Sequence, residues 1–122
     1  MINKQEFLDT YNYFESQVLV EIIDIFTSEY AGRFEKLYAD IKDRDYASLR
    51  FDAHGLKGVV ANFCAPVVWA KARELEKTAS ELEQSNGNGF DESSIKLSVD
   101  ELKECVKIMV KQLSDIRAEL IG

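Results

Sequence analysis

Apolar residues recur at three- and four-residue steps through most of this chain, the spacing of one face of an α-helix. Leu19, Ile23, Phe26, Tyr30, Phe34, Leu37 and Ile41 carry the pattern through a long segment predicted to be helical from about Ser16 to Lys42. Asp43-Arg44-Asp45 interrupts it. Leu49, Ala53, Leu56, Val60 and Phe63 then mark a helix from about Tyr46 to Phe63, with Asp45 as its N-cap. Pro66 suits the first turn of a further helix, whose stripe is Val68, Ala72, Leu75, Ala79 and Leu82. That helix ends before Ser85-Asn86-Gly87-Asn88-Gly89, a run of loop-forming residues. The last helix begins near Asp91-Glu92, acidic residues that favour a helix N-terminus. Its stripe is Ile95, Val99, Leu102, Val106, Met109, Leu113, Ile116 and Leu120. Ahead of all these, a short helix is predicted from Asn3 to about Phe14, with Glu6 in capping-box spacing.

Four long helices with one apolar face each can hide those faces only against one another, and short connections favour antiparallel neighbours. The expectation is all-α: an antiparallel up-and-down four-helix bundle with a short extra N-terminal helix, forming a single domain over residues 1–122. Tyr11, Tyr13 and Phe14 are expected to pack over one end of the bundle, because aromatic side chains usually bury.

Composition narrows the function classes. The 122 residues carry a formal net charge of −7, which argues against nucleic acid and anionic membrane surfaces as partners. No stretch reaches the roughly 18 apolar residues of a membrane span, and the N-terminus has no signal-peptide apolar region; a cytoplasmic protein is expected. Met1 and the short length suit a free-standing carrier. Cys64 and Cys105 are too few for a disulfide framework and are expected to be buried, reduced thiols. With one histidine and no ligand spacing, no metal site is expected.

That histidine, His54, is the candidate chemical group. It lies about 140° around the helix from Leu49, so it points away from the core stripe. Lys57 and Gly58, three and four residues on, are its neighbours on the helix surface. Ala47 and Ala61 line up with it at seven residues on either side, and Arg50 and Phe51 lie one turn before it. A glycine inside a helix costs on the order of 1 kcal/mol against alanine, so the bare backbone at Gly58 calls for an offsetting gain, such as room beside the ring. Neutral imidazole, with a pKa near ~6.5, has a nucleophilic nitrogen at cell pH and can become a phosphohistidine. Lys57 can then neutralise phosphoryl oxygens. The same geometry also fits a surface histidine without chemistry. Lys71, Arg73, Glu74, Glu76 and Lys77 read most simply as a solvated helix face.

The motif decides between these readings. Ala53-His54-x-Leu56-Lys57-Gly58, followed by Ala61-Asn62 and Leu75-Glu76, closely resembles the signature of histidine phosphotransfer domains. Upstream, Phe26-Thr27-Ser28-Glu29-Tyr30, Leu37 and Asp45-Tyr46-Ala47-Ser48-Leu49 resemble the segment preceding that family's histidine, so the likeness spans about residues 18–83. Two positions depart from the pattern: Gly55 stands where Thr, Ser or Ala is frequent, and Cys64 where glycine is common. Gly55 is expected to loosen the helix.

The resemblance implies that His54 is phosphorylated, that Lys57 assists at the phosphate and that Gly58 keeps the ring accessible. It implies a phosphorelay intermediate in a two-component system, accepting a phosphoryl group from the aspartyl phosphate of a response-regulator receiver domain and donating it to another. The partner would be a receiver domain or a hybrid sensor histidine kinase, and Mg²⁺ would sit on the partner's receiver. The docking surface is expected to include Ala47, Arg50, Phe51, Ala61, Ile22 and Ile25, on a monomer. The chain lacks a P-loop or Gly-rich nucleotide motif, so kinase activity of its own is not expected. The rival reading is a non-catalytic helical adaptor that binds a partner through an exposed helix face.

Overall fold

The computed structural model describes all 122 residues, in five α-helices without strands. They are α1 (Lys4–Thr10), α2 (Ser16–Lys42), α3 (Tyr46–Val60), α4 (Pro66–Gln84) and α5 (Glu92–Ile121), with a turn of 3-10 helix, Ala61–Phe63, after α3. Packing runs in a ring: α2 on α3, α3 on α4, α4 on α5 and α5 back on α2. Named pairs fix the directions. Ser48 Oγ donates to Asp40 at 2.8 Å at one end of the α2–α3 seam, while the rings of Phe26 and Phe63 meet at 5.1 Å at the other. Asp24 binds Arg117 and Tyr38 binds Asp100, so α2 and α5 are antiparallel as well. The result is the antiparallel four-helix bundle that the periodicity implies, and no helix is long and apolar enough to cross a membrane.

The predicted stripes form the core. Leu49, Ala53, Leu56 and Val60 of α3 are each fully buried, as are Val99, Val106, Met109 and Leu113 of α5. Burial of such stripes, at about 25 cal/mol per Å² of apolar surface, is what holds helices of this kind together. The caps also follow the sequence: Asn3, Asp45 and Asp91 each accept from a backbone N–H of the first turn.

Several boundaries and environments differ from the sequence expectation. The first helix ends at Thr10, well short of Phe14. Tyr11 caps it, with its ring against Phe7 and its hydroxyl donating to Asn62 O at 3.1 Å, and the chain then turns into α2. Only Phe7 from this segment is fully buried; Tyr13 is 95% exposed and Phe14 54% exposed, because the turn carries them away from the bundle end. The capping box is half made, since the Asn3 backbone N–H goes to Cys64 O at 2.9 Å. The third helix gives way to the 3-10 turn before Phe63. Cys64 and Cys105 are free but only half-buried. The helix runs unbroken through Gly55, where a Cβ would come within 3.3 Å of Arg33 Nη1.

One buried charge was not expected. Asp40 is 3% exposed on the α3 side of α2, where Lys36 Nζ lies 2.7 Å from it and Asp52 faces the same cluster. Burial, then the neighbouring Asp52, push its carboxyl above the ordinary range, while Lys36 and Ser48 pull the other way.

Candidate functional site

The fully buried Ala53 and Leu56 anchor α3 and set the direction of the residues that follow each. His54 and Lys57 come one step, about 100°, past those core positions. Both therefore emerge at the edge of α3, over the seam with α4. Glu76 emerges at the same seam from the opposite side, one step past the buried Leu75 of α4.

The three side chains meet there. His54 Nδ1 lies 2.9 Å from Glu76 Oε1, and Lys57 Nζ lies 2.7 Å from Glu76 Oε2. The His54 side chain is 66% exposed, whereas Lys57 and Glu76 are each 22% exposed. Lys57 is thus joined to His54 through a carboxylate, and Glu76 Oε2, itself fully buried, has Lys57 as its counter-charge. Partial burial pushes the Glu76 carboxyl up, but the Lys57 ammonium and the His54 ring outweigh it and hold the carboxyl below its ordinary range. Glu76 is therefore ionised at neutral pH.

An ionised carboxylate only accepts hydrogen bonds, so its bond to the ring places the imidazole proton on Nδ1. The free lone pair is then on Nε2. A partly buried anion fixes both the tautomer and the orientation of an exposed ring, as outer-shell carboxylates do for metal-binding histidines.

Glu76, present in the Leu75-Glu76 part of the motif but given no role there, was expected on a solvated face with Lys71, Arg73, Glu74 and Lys77; it is instead 22% exposed and bound to His54 and Lys57. Its position directly after the core residue Leu75 is the signal that could have found it, because His54 and Lys57 stand in the same relation to Ala53 and Leu56. The register between α3 and α4, which brings these positions together, is not written in either helix alone.

Around this centre, Gly58 is exposed and a Cβ built on it would meet nothing within 4 Å. Helical side chains lean back over the preceding turn, so a larger residue at 58 would cover the turn that carries His54. Phe51 is 74% exposed, Ile25 57%, and Ala47 and Ala61 are also exposed. Ile22, expected on the same surface, is instead partly buried against the core. Arg50 is half-exposed but not free: its Nε is bound by Glu83 of α4. No three His, Cys, Asp or Glu side chains converge in the way a metal centre needs.

A family model described as Hpt domain matches residues 21–116. The match runs past the segment that carries the motif likeness and takes in most of α5. No curated protein and no solved structure matches the chain.

Proposed function

Because the chain belongs to the Hpt domain family, and with it to the histidine phosphotransfer proteins of two-component phosphorelays, we propose that His54 is its phosphoryl carrier and Nε2 the atom modified. The observation that carries this reading is the exposed His54 ring whose Nδ1 is held by Glu76 at 2.9 Å. The Nε2 lone pair attacks the phosphorus of an aspartyl phosphate on a receiver domain. A nitrogen–phosphorus bond forms, the bond from phosphorus to the aspartate oxygen breaks, and its electron pair leaves with the aspartate carboxylate. The ring keeps its Nδ1 proton and becomes cationic, and Glu76 faces that new charge. A cationic ring is also a good leaving group, so donation to a second receiver follows the same path in reverse.

Lys57 moves from Glu76 to the phosphoryl oxygens, exchanging one anion for a more highly charged one. Transfer of this kind depends mainly on positioning and electrostatics, so a stiff helix presenting a nucleophile and a cation is sufficient on this side. A Mg²⁺ ion held by the receiver domain would supply further charge neutralisation from the partner. Gly58 leaves the approach open, and Ala47, Phe51, Ala61 and Ile25 offer the apolar part of a docking surface on a cytoplasmic, monomeric carrier. A hybrid sensor histidine kinase would present the same kind of receiver.

Incubation with a labelled phosphoreceiver tests the proposal. Label is expected on the wild-type chain as an acid-labile, base-stable adduct and not on His54→Gln. Equal labelling of both would remove His54 as the carrier, and binding of receivers without transfer would support the adaptor reading. ATP alone is expected to leave the chain unmodified.

A further inference from the structure

Lys57 is not the only cation one turn from His54. Arg50 precedes it by four residues on α3, on the same helix face. Because helical side chains lean towards the N-terminus, the His54 ring leans over the turn that carries Arg50, and Lys57 leans back over the turn that carries His54. The imidazole therefore stands between the two cations along the helix.

Both cations are held by carboxylates of α4. Lys57 is bound by Glu76 at 2.7 Å and Arg50 by Glu83. Arg50 and Lys57 are seven residues apart on α3, and Glu76 and Glu83 are seven apart on α4, so the two ion pairs form rungs across the α3–α4 seam with His54 in the space between. The rungs differ in burial. Lys57 and Glu76 are each 22% exposed, whereas Arg50 is 47% and Glu83 36% exposed. The outer rung is a surface ion pair, of the kind that is readily exchanged. Glu76 also acts electrostatically on Arg50 across the groove, alongside the dominant effect of Glu83. A guanidinium can bind two phosphoryl oxygens at once, and a phosphoryl group carries more charge than a carboxylate.

We propose that Arg50 is a second phosphate-binding cation of the His54 site, held by Glu83 until the ring is modified and then transferred to the phosphoryl group. This rests on the reading of His54 as the phosphoryl carrier. It moves Arg50 from a partner-docking role to one inside the chain's own phosphate site, and it gives Glu83 the function of keeping that cation in place.

The test uses the full chain modified by phosphoramidate, a small donor that needs no receiver. The phosphorus NMR shift of the phosphohistidine is followed against pH to obtain the midpoint of the phosphoryl group's second ionisation. A nearby cation lowers that midpoint. Arg50→Gln is expected to raise it by about half a pH unit, the size an exposed ion pair supports. Arg50→Lys is expected to restore part of the shift, and Glu83→Gln, which releases Arg50 in advance, to leave the midpoint at or below the wild-type value. In the unsubstituted chain, the Arg50 Nε–H signal is expected to move on modification as the guanidinium changes partner. Identical midpoints in wild type and Arg50→Gln, or an unmoved Arg50 signal, would overturn the proposal while leaving His54 as carrier. A wild-type chain that takes up no phosphoryl group would remove the underlying reading and this inference with it.

Discussion

The nitrogen offered by His54 is selected by a residue on another helix. Glu76 binds Nδ1 and Lys57 with its two oxygens, so its removal frees the ring to rotate and change tautomer, and leaves Lys57 without its counter-charge. Glu76→Ala is expected to slow phosphoryl uptake by about 10- to 100-fold, the range seen when outer-shell partners of histidine ligands are removed; a rate within twofold of wild type, measured with a phosphoreceiver, would count against this role. The pH dependence has a definite sign. Glu76 is held below its ordinary carboxylate range by Lys57 and His54, against the opposing effect of burial, so its contribution to stability is present above that range and is lost as pH falls through the lowered value. Gly58 gives a second residue-scale prediction. With nothing within 4 Å of its missing Cβ, Gly58→Ala should stabilise the bundle by about 0.5–1 kcal/mol in urea unfolding, whereas Gly58→Leu should fold and yet accept phosphoryl groups poorly. His54, Lys57 and Gly58 were legible in the sequence because one helix periodicity relates them. Glu76 was visible only as part of the Leu75-Glu76 motif, and its bonds to His54 and Lys57 were not, because they depend on the register of α4 against α3.

Among the elements, the end of α3 is the least regular. The helix tightens into the 3-10 turn Ala61–Phe63 and stops at Cys64, whose φ of 54° is left-handed. A left-handed residue with a Cβ costs about 1–2 kcal/mol, which glycine avoids. This is the physical reason a glycine is common at this position in the related pattern. Cys64→Gly is therefore expected to raise stability by about 1 kcal/mol, less whatever the half-buried thiol contributes by packing, read as a shift in the urea midpoint at constant slope; a lower midpoint would show that the thiol's contacts outweigh the backbone strain. The starts of α1, α3 and α5 were readable from Asn3, Asp45 and Asp91, since a capping side chain acts within its own turn. The end of α1 was not. Tyr11 stops that helix by reaching Asn62, 51 residues away, and no local signal announces such a contact.

Across the whole molecule, the stripes of the four long helices were enough to give the bundle, because each apolar face has only the others to bury against. They did not show the polar cluster inside the α2–α3 seam. Asp40 is almost fully buried there, and burial followed by the nearby Asp52 raises its carboxyl pKa. The folded chain thus binds that proton more tightly than the unfolded chain does. Its effect runs opposite to that of Glu76: stability is highest below the ordinary carboxylate range, near ~4, and declines as pH rises through the raised Asp40 value. Melting temperatures of wild type and Asp40→Asn across this window should show a decline that is weaker in the variant, and parallel curves would contradict the assignment. As a device, the bundle holds one imidazole outward, with Nδ1 bound to Glu76 and Nε2 free. Nitrogen-15 NMR of the ring, before and after treatment with phosphoramidate, tests this directly, since His54 is the chain's one histidine. The free chain is expected to carry a proton on Nδ1, and the treated chain a phosphorus-coupled Nε2 with the Nδ1 proton retained. A phosphoryl group on Nδ1, or a ring that remains unmodified, would contradict that arrangement.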